Sequence, residues 1–243
     1  MSKIYEALKQ ASSPASTTPV SISPSYPDTE DAALEKAMLR LYQGIDSLLQ
    51  DLPQKMVQFI GARRGEGASA IVRDFGLKAA MALGKPVLIF DADRANPAQH
   101  IIFGITPEYG WEDLLDDDRA LSADAGKAIY QIRKSNLYVC PVSPKAASAR
   151  HVFDPAKMMN ILNKLKERYD FVIVDSPPAA LSSDGIAICR NMDGVVLVLE
   201  AEATRWPVAI NAKETIKKNG GRILGIAFNK HRYHIPDFIY RRL

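Results

Sequence analysis

The chain has 243 residues, which is enough for one large α/β domain with its own core. Hydrophobic residues make up 47% of the sequence and charged residues 24%, as in soluble globular proteins. The net charge of +3 is too small to indicate nucleic acid as a partner, and no apolar run is long enough to span a membrane. Cys140 and Cys189 lie in apolar segments without Cys-x-x-Cys spacing, so we expect buried, reduced thiols in a cytoplasmic protein.

The N-terminal part divides into three predicted segments. Residues 1–11 have helical composition, with Ile4 and Leu8 on one face, and both a docking segment and a frayed terminus fit this pattern. Residues 12–31 are rich in Ser, Thr and Pro and predict a disordered linker, because this composition cannot bury a core. A helix is predicted from about Ala32 to Leu49, with an apolar stripe formed by Leu34, Met38, Leu41, Ile45 and Leu48.

The stretch from Phe59 to Ser69 has the pattern of a phosphate-binding loop, because it joins an apolar run to a predicted helix through closely spaced glycines. In such a loop the backbone N–H groups and the helix N-terminus cradle an anion. Gly65 and Gly67 supply the open torsions, and Ser69 stands where the pattern G-x-x-x-x-G-K-[ST] places a magnesium-binding hydroxyl. The candidate nucleotide-binding residues are Arg63, Arg64, Gly65, Glu66, Gly67, Ala68, Ser69 and Ala70.

The loop departs from the pattern at two positions, so a plain Gly-rich turn remains an alternative. Ala62 replaces the first Gly, and Ala68 replaces the Lys that normally reaches the β- and γ-phosphates. Loss of one charge-assisted contact of roughly 1.5–3 kcal/mol weakens binding about tenfold to a hundredfold. Arg63 or Arg64 could supply a replacement charge, or both could simply be solvated.

From residue 56 onward, apolar strands alternate with helices. Strands are predicted at 56–60, 87–90, 136–140, 171–174, 194–199 and 223–228, and helices at 69–83, 111–115, 154–168, 183–191 and 207–218. This alternation predicts an α/β fold with a parallel β-sheet and helices on both faces. Asp91, Asp93 and Asp175 follow two of the strands, at the sheet edge where ligands gather. Carboxylates there can hold magnesium or accept a proton.

Two of these segments, residues 84–93 and 169–178, resemble nucleotide motifs of the bacterial tyrosine kinases of capsule and exopolysaccharide synthesis, the CpsD/CapB type. Gly-Glu-Gly at 65–67 and residues 224–229 also fit this family. The resemblance implies a P-loop NTPase fold of the deviant Walker kind shared with MinD and ParA, in a kinase domain at 32–230. It further implies ATP and Mg²⁺ as cofactors, with Ser69, Asp91 and Asp175 as metal ligands and Asp91, Asp93 and Asp175 as catalytic residues.

The sequence departs from the family at four places. Ala68 replaces the loop Lys, and Ala95 stands where the family has Arg, although Arg94 is adjacent. Met38 and Leu41 occupy the places of two arginines that form a ring interface in the family, which weakens the case for that homo-oligomer. The basic tail at 231–243 contains two tyrosines rather than a tyrosine cluster, and they are equally consistent with packing or partner binding.

The resemblance implies a cytoplasmic partner of a membrane polysaccharide co-polymerase or export protein, held at the inner face of the membrane through that partner. The departures favour a kinase homologue with weakened or lost tyrosine autokinase activity that acts as a regulator or scaffold. The intact Asp91, Asp93 and Asp175 and the loop arginines favour the alternative, an active autokinase or a MinD/ParA-type ATPase switch.

Overall fold

The computed structural model describes residues 32–115, 127–144 and 153–230. The strands in these ranges are β1 (Lys55–Gly61), β2 (Val87–Asp91), β3 (Tyr130–Gln131), β4 (Leu137–Cys140), β5 (Phe171–Ser176), β6 (Gly194–Glu200) and β7 (Ile223–Asn229). The helices are α1 (Ala32–Leu48), α2 (Ala68–Leu83), α3 (Gln99–Ile102), α4 (Pro155–Lys166), α5 (Asp184–Ile188) and α6 (Trp206–Lys218). Short 3₁₀ helices span Trp111–Leu114 and Cys189–Asn191.

The predicted docking segment at 1–11, the linker at 12–31 and the tail with Tyr233 and Tyr240 lie outside the described residues. In the part that is described, no helix is both long enough and apolar enough to cross a membrane.

The strands form one sheet in the order β3-β4-β2-β5-β1-β6-β7. Neighbouring strands are parallel throughout, except that β3 pairs antiparallel with β4. The central strands are buried along almost their whole length, because helices cover both of their faces. The predicted α/β fold with a parallel sheet is therefore confirmed.

The core lies on both faces of this sheet. Helices α1 and α2 pack on one face around Phe75, whose ring lies 5.1 Å from that of Phe59 and 5.6 Å from that of Phe171. Helices α4, α5 and α6 cover the opposite face. Cys140 and Cys189 are buried and free, as expected from their apolar surroundings.

The apolar stripe predicted for α1 is wrong at its two ends. Leu34 and Leu48 are exposed, whereas Tyr42 and Leu49 are buried. The buried face is rotated because Tyr42 packs against Phe75 of α2, with ring centroids 6.5 Å apart. Tyr42 thus lies on the buried face of α1, where the apolar pattern predicts Leu34 and Leu48.

Candidate functional site

The Gly-rich loop runs between the end of β1 at Gly61 and the start of α2 at Ala68. Gly65 (φ 89°) and Gly67 (φ 84°) both adopt the left-handed backbone conformation that disfavours residues with a Cβ atom. A Cβ atom on Gly67 would also overlap Nδ2 of Asn229. The sequence therefore needs glycine at position 67 for two independent reasons.

The loop leaves a row of backbone donors unpaired. Within the described residues, the N–H groups of Gly65, Gly67 and residues 68–70 donate to no acceptor, and no side chain caps α2. The first intrahelical bond runs from the N–H of Ile71 to the carbonyl of Gly67, 3.0 Å away. Unpaired N–H groups at a helix N-terminus, next to left-handed glycines, form a binding site for an anion such as phosphate.

Glu66 shapes the loop from within the protein. Its side chain is 2% exposed and accepts hydrogen bonds from the N–H of Arg63 (2.9 Å) and the hydroxyl of Thr204 (2.6 Å). The Thr204 hydroxyl also accepts the N–H of Glu200, at 3.1 Å. Through these bonds Glu66 ties the loop to the segment that follows β6.

The two loop arginines point in different directions. Arg63 donates to the carbonyl of Ala203 at 3.2 Å and lies beside Glu66, so it faces the segment after β6. Arg64 donates to Oδ1 of Asn96 at 2.8 Å. Burial raises the pKa of Asp93, and the nearby charge of Arg64 opposes this shift. Both guanidinium groups therefore have protein partners, and Arg64 lies on the acidic side of the loop.

Asp91 and Asp175 lie opposite each other on the neighbouring strands β2 and β5, and both are buried. Oδ2 of Asp91 accepts the N–H groups of Ala98 and Gln99, both at 2.9 Å. Burial raises the pKa of Asp91 well above its usual range, the charge of Asp175 raises it further, and these hydrogen bonds oppose the shift. Two neighbouring buried carboxylates favour the binding of a cation or of a proton.

The carboxylate of Asp175 is only partly paired. Its Oδ2 accepts the side-chain amide of Gln99 at 2.6 Å, and the same amide donates to the carbonyl of Ser69 at 3.1 Å. Burial raises the pKa of Asp175 to about 6, although hydrogen bonds from the Gln99 amide and the Ser69 hydroxyl oppose this shift. In the part of the chain that the structure describes, Oδ1 of Asp175 and Oε1 of Gln99 are buried acceptors without a donor.

These unpaired oxygens fit a magnesium ion. Mg²⁺ prefers oxygen ligands and usually takes one or two carboxylates together with phosphate oxygens and water. Asp175 and the Ser69 hydroxyl would supply the protein ligands, with Asp91 next to them. No group of three or more His, Cys, Asp or Glu side chains in the described ranges has the spacing of a metal site.

Asp93 lies between the loop and the strand ends. Its N–H donates to Oδ1 of Asp91 at 3.2 Å, and its own Oδ1 accepts the N–H of Asn96 at 3.0 Å. Arg94 points elsewhere, since its Nε lies 3.6 Å from Oε1 of Glu112. Arg94 thus pairs with Glu112. Burial raises the pKa of Glu112 to about 7.

The structure brings together every residue of the predicted site, from Arg63 to Ala70 with Asp91, Asp93 and Asp175, at one end of the sheet. It adds residues that sequence reasoning missed, namely Gln99, Thr204, Asn229 and Lys230. Asn229 and Lys230 follow a predicted strand. Ligands gather at the carboxyl ends of parallel strands, so this position could have indicated both residues, as it indicates the aspartates. Gln99 and Thr204 carry no such signal, because only the tertiary fold brings them to the loop.

No family model matches the chain, but comparison with known proteins finds relatives that are similar over most of its length. The putative tyrosine-protein kinase CapB of Staphylococcus aureus is 28% identical over 176 residues, covering 72% of this chain and 75% of that protein. The tyrosine-protein kinase CpsD of Streptococcus agalactiae is 29% identical over 176 residues, with 72% and 75% covered.

Solved structures agree on the fold. The kinase domain of the Escherichia coli tyrosine kinase ETK superposes with a TM-score of 0.67 at 19% identity, covering 83% of this chain and 79% of that one. The cell division ATPase MinD of Pyrococcus furiosus gives a TM-score of 0.61 at 23% identity, with 79% of each chain covered. The chain thus has the fold of the P-loop ATPases and is a relative of the bacterial tyrosine kinases of the CapB and CpsD type.

Proposed function

We propose that this chain binds a magnesium–nucleotide complex, ATP in the first place, in the loop at the end of β1. The observation that carries the proposal is a pair of opposite deficits on the two sides of Ser69. Among the residues that the structure describes, the loop offers unpaired N–H donors, and Asp175 offers an unpaired buried acceptor oxygen. A phosphate bound to Mg²⁺ would satisfy both, since it carries acceptor oxygens and a cation together.

Each group would have a separate task in this complex. The N–H groups of residues 65–70 would hold the phosphates, while Ser69 and Asp175 would hold the metal. The ion would neutralise negative charge on the phosphates. Asp91 fixes the loop after β2 through its bonds to backbone N–H groups. Asp93 is less deeply buried than Asp91 and Asp175, and it would accept the proton of an incoming hydroxyl.

We further propose that the chain acts mainly as a regulator or scaffold in exopolysaccharide or capsule synthesis, with weak tyrosine autokinase activity. Position 68 carries no charge. Ala95 stands where the family has an arginine, and the adjacent Arg94 does not replace it, because Arg94 pairs with Glu112. Phosphoryl transfer depends on such charges more than binding does, because they stabilise the moving group.

The proposed role includes a partner. On the family resemblance, residues 1–11 would dock on a membrane polysaccharide co-polymerase or export protein, residues 12–31 would be the tether, and residues 231–243 would be the tail that a neighbouring copy can reach. A flexible linker of about 20 residues has an average reach of roughly 25 Å.

One observation favours the second candidate function, an active autokinase or an ATPase switch. Asp91, Asp93 and Asp175 remain together at the strand ends, and Arg64 places a positive charge beside Asp93. An arginine at the mouth of a phosphate site can stabilise a transferring phosphoryl group.

Mass spectrometry of the full chain after incubation with magnesium and ATP separates the two functions. The proposal expects little phosphate on Tyr233 and Tyr240, the tyrosines of the tail. The matched control is Asp93→Asn, which removes the candidate proton acceptor. Stoichiometric phosphotyrosine in the wild type, lost in this variant, would replace the scaffold proposal with the active kinase.

A further inference from the structure

The carboxyl end of β7 is bonded directly to the Gly-rich loop. The side-chain amide of Asn229 donates to the carbonyl of Glu66 at 2.9 Å, and the ammonium group of Lys230 donates to the carbonyl of Gly65 at 2.6 Å. Lys230 also has a left-handed backbone (φ 57°), which is uncommon for a residue with a side chain. Unusual backbone of this kind clusters at active sites and ligand-binding segments.

The ammonium group of Lys230 has donor capacity to spare. A lysine ammonium carries three N–H donors. One is used by the carbonyl of Gly65, and another by Oε2 of Glu200 at 3.2 Å. The side chain is 48% exposed, so its third donor is open to solvent beside the loop.

Within the described ranges, the loop itself has no cation in the position that Lys230 occupies. Ala68 stands in place of the lysine of the loop pattern, Arg63 faces the segment after β6, and Arg64 faces Asn96 on the acidic side. Lys230 is the cation in the described residues whose ammonium contacts the loop backbone between the two glycines.

We propose that Lys230 supplies, from the end of β7, the phosphate-contacting charge that the loop lacks at position 68. This inference rests on the proposed nucleotide site. Glu200 holds the ammonium group at the rim of the loop while the site is empty, and a bound phosphate takes the free donor. The positive charge that a P-loop lysine normally supplies from the loop would thus come from the residue after β7. The backbone N–H groups of the loop would bind phosphate as in other P-loops.

Isothermal calorimetry with magnesium and a non-hydrolysable ATP analogue tests the inference on the full chain. Lys230→Ala is expected to weaken binding about tenfold to a hundredfold, the effect of losing one charge-assisted phosphate contact. The matched control is Lys85→Ala, which removes an exposed lysine paired with Asp170 on the surface and should leave binding unchanged.

A rescue variant separates a phosphate contact from a clamp on the loop. In the double variant Ala68→Lys with Lys230→Ala, a lysine in the usual place should restore most of the lost affinity. A clamp between Lys230 and Gly65 could not be restored from position 68, so loss without rescue overturns the inference.

The outcomes for the wild type keep the two proposals apart. If the wild type binds the analogue and Lys230→Ala binds it equally well, the role of Lys230 is wrong and the proposed nucleotide site stands. If the wild type binds no analogue, both proposals are wrong.

Discussion

The two sides of the candidate site keep their shape in opposite ways. On the loop side, side chains of Glu66, Asn229 and Lys230 bond to backbone atoms and hold the loop open, while its inner N–H groups remain unpaired. On the acidic side, backbone N–H groups bond to the carboxylates of Asp91 and Asp93, and Oδ1 of Asp175 remains unpaired. The N–H groups of the loop side therefore need a hydrogen-bond acceptor, and the carboxylate of the acidic side needs a donor or a cation.

This difference shows what kind of ligand the site suits. An anion alone would satisfy the loop and repel the buried carboxylates, and a metal ion alone would leave the N–H groups unpaired. A magnesium–phosphate group satisfies both sides at once. The stability of the empty protein and its affinity for such a ligand should therefore respond differently when each side is changed.

The largest expected effect comes from Gly67→Ala on the loop side. A left-handed backbone costs a residue with a Cβ atom about 1–2 kcal/mol, and the overlap with Asn229 adds a packing penalty of about 1–3 kcal/mol. We expect the free energy of unfolding to fall by roughly 2–5 kcal/mol, measured by urea denaturation, and nucleotide binding to be lost.

The matched control for this change is Gly65→Ala, which has the same backbone strain (φ 89°) but, in the part of the chain that is described, no atom within 4 Å of the added Cβ. It should lower the free energy of unfolding by the strain alone, about 1–2 kcal/mol. Equal losses in the two variants would mean that the contact between Asn229 and the loop has no energetic weight.

On the acidic side, Asp175→Asn should stabilise the empty protein at pH 7.5. Burial raises the pKa of Asp175 from its ordinary 3.8 to about 6. The folded state therefore binds an extra proton between about pH 4 and 6, and the wild type loses roughly 2–3 kcal/mol of stability as the pH rises through this window. Asparagine keeps the shape without the charge, so the variant should recover this amount and show a flatter pH profile.

The same variant should lose the effect of magnesium on nucleotide binding, because the unpaired oxygen of Asp175 is the proposed metal ligand. Thermal denaturation from pH 4 to 8, with and without magnesium and nucleotide, measures both effects. A variant that is less stable than the wild type at pH 7.5 would show that the Asp175 carboxylate serves the fold rather than a cation.

A smaller effect is expected from Thr204→Val, which removes a hydroxyl bonded to Glu66 (2.6 Å) and Glu200 (3.1 Å). A buried carboxylate that loses a donor costs about 1–3 kcal/mol, and the loop should bind nucleotide more weakly because Glu66 shapes it. Thr215→Val on α6 is the control, since its hydroxyl donates to the carbonyl of Asn211 of the same helix in an exposed position. If both variants bind nucleotide like the wild type, Glu66 does not shape the loop.

The smallest predicted effect lies outside both sides. Asp154 caps α4 by accepting the N–H groups of Ala156 (3.0 Å) and Lys157 (3.2 Å). Asp154→Ala should lower the free energy of unfolding by about 1 kcal/mol, as for other lost N-caps, with nucleotide affinity unchanged. Weaker binding in this variant would show that affinity simply follows global stability, and would remove the distinction between the two sides.

Much of the fold could be predicted from the sequence, because its strands are continuous apolar runs and its helices begin and end at clear signals. Gly84, for example, ends α2 where the pattern placed it. Strand β3 was missed because a two-residue strand has no periodicity to detect. Helix α3 was missed for a related reason, since it is only four residues long and is held by its bonds to Asp91.

The site was predictable in its chain-local parts and not in its connections. The spacing of the glycines predicts the loop, and the places of the three aspartates after strands predict the acidic side. The burial of Glu66 and the bridge from Gln99 to Ser69 and Asp175 depend on which strands are neighbours, and the sequence does not state that order. Charged and polar residues inside a protein are determined by their partners, and partners come from topology.

Calorimetric titration of the full wild-type chain with ATP, in the presence and absence of magnesium, tests the magnesium–nucleotide site most directly. The opposed deficits of the loop and of Asp175 predict one bound nucleotide per chain, with affinity that falls markedly when magnesium is removed. Binding that is absent at millimolar ATP with magnesium, or equally tight without the metal, would contradict this account of the site.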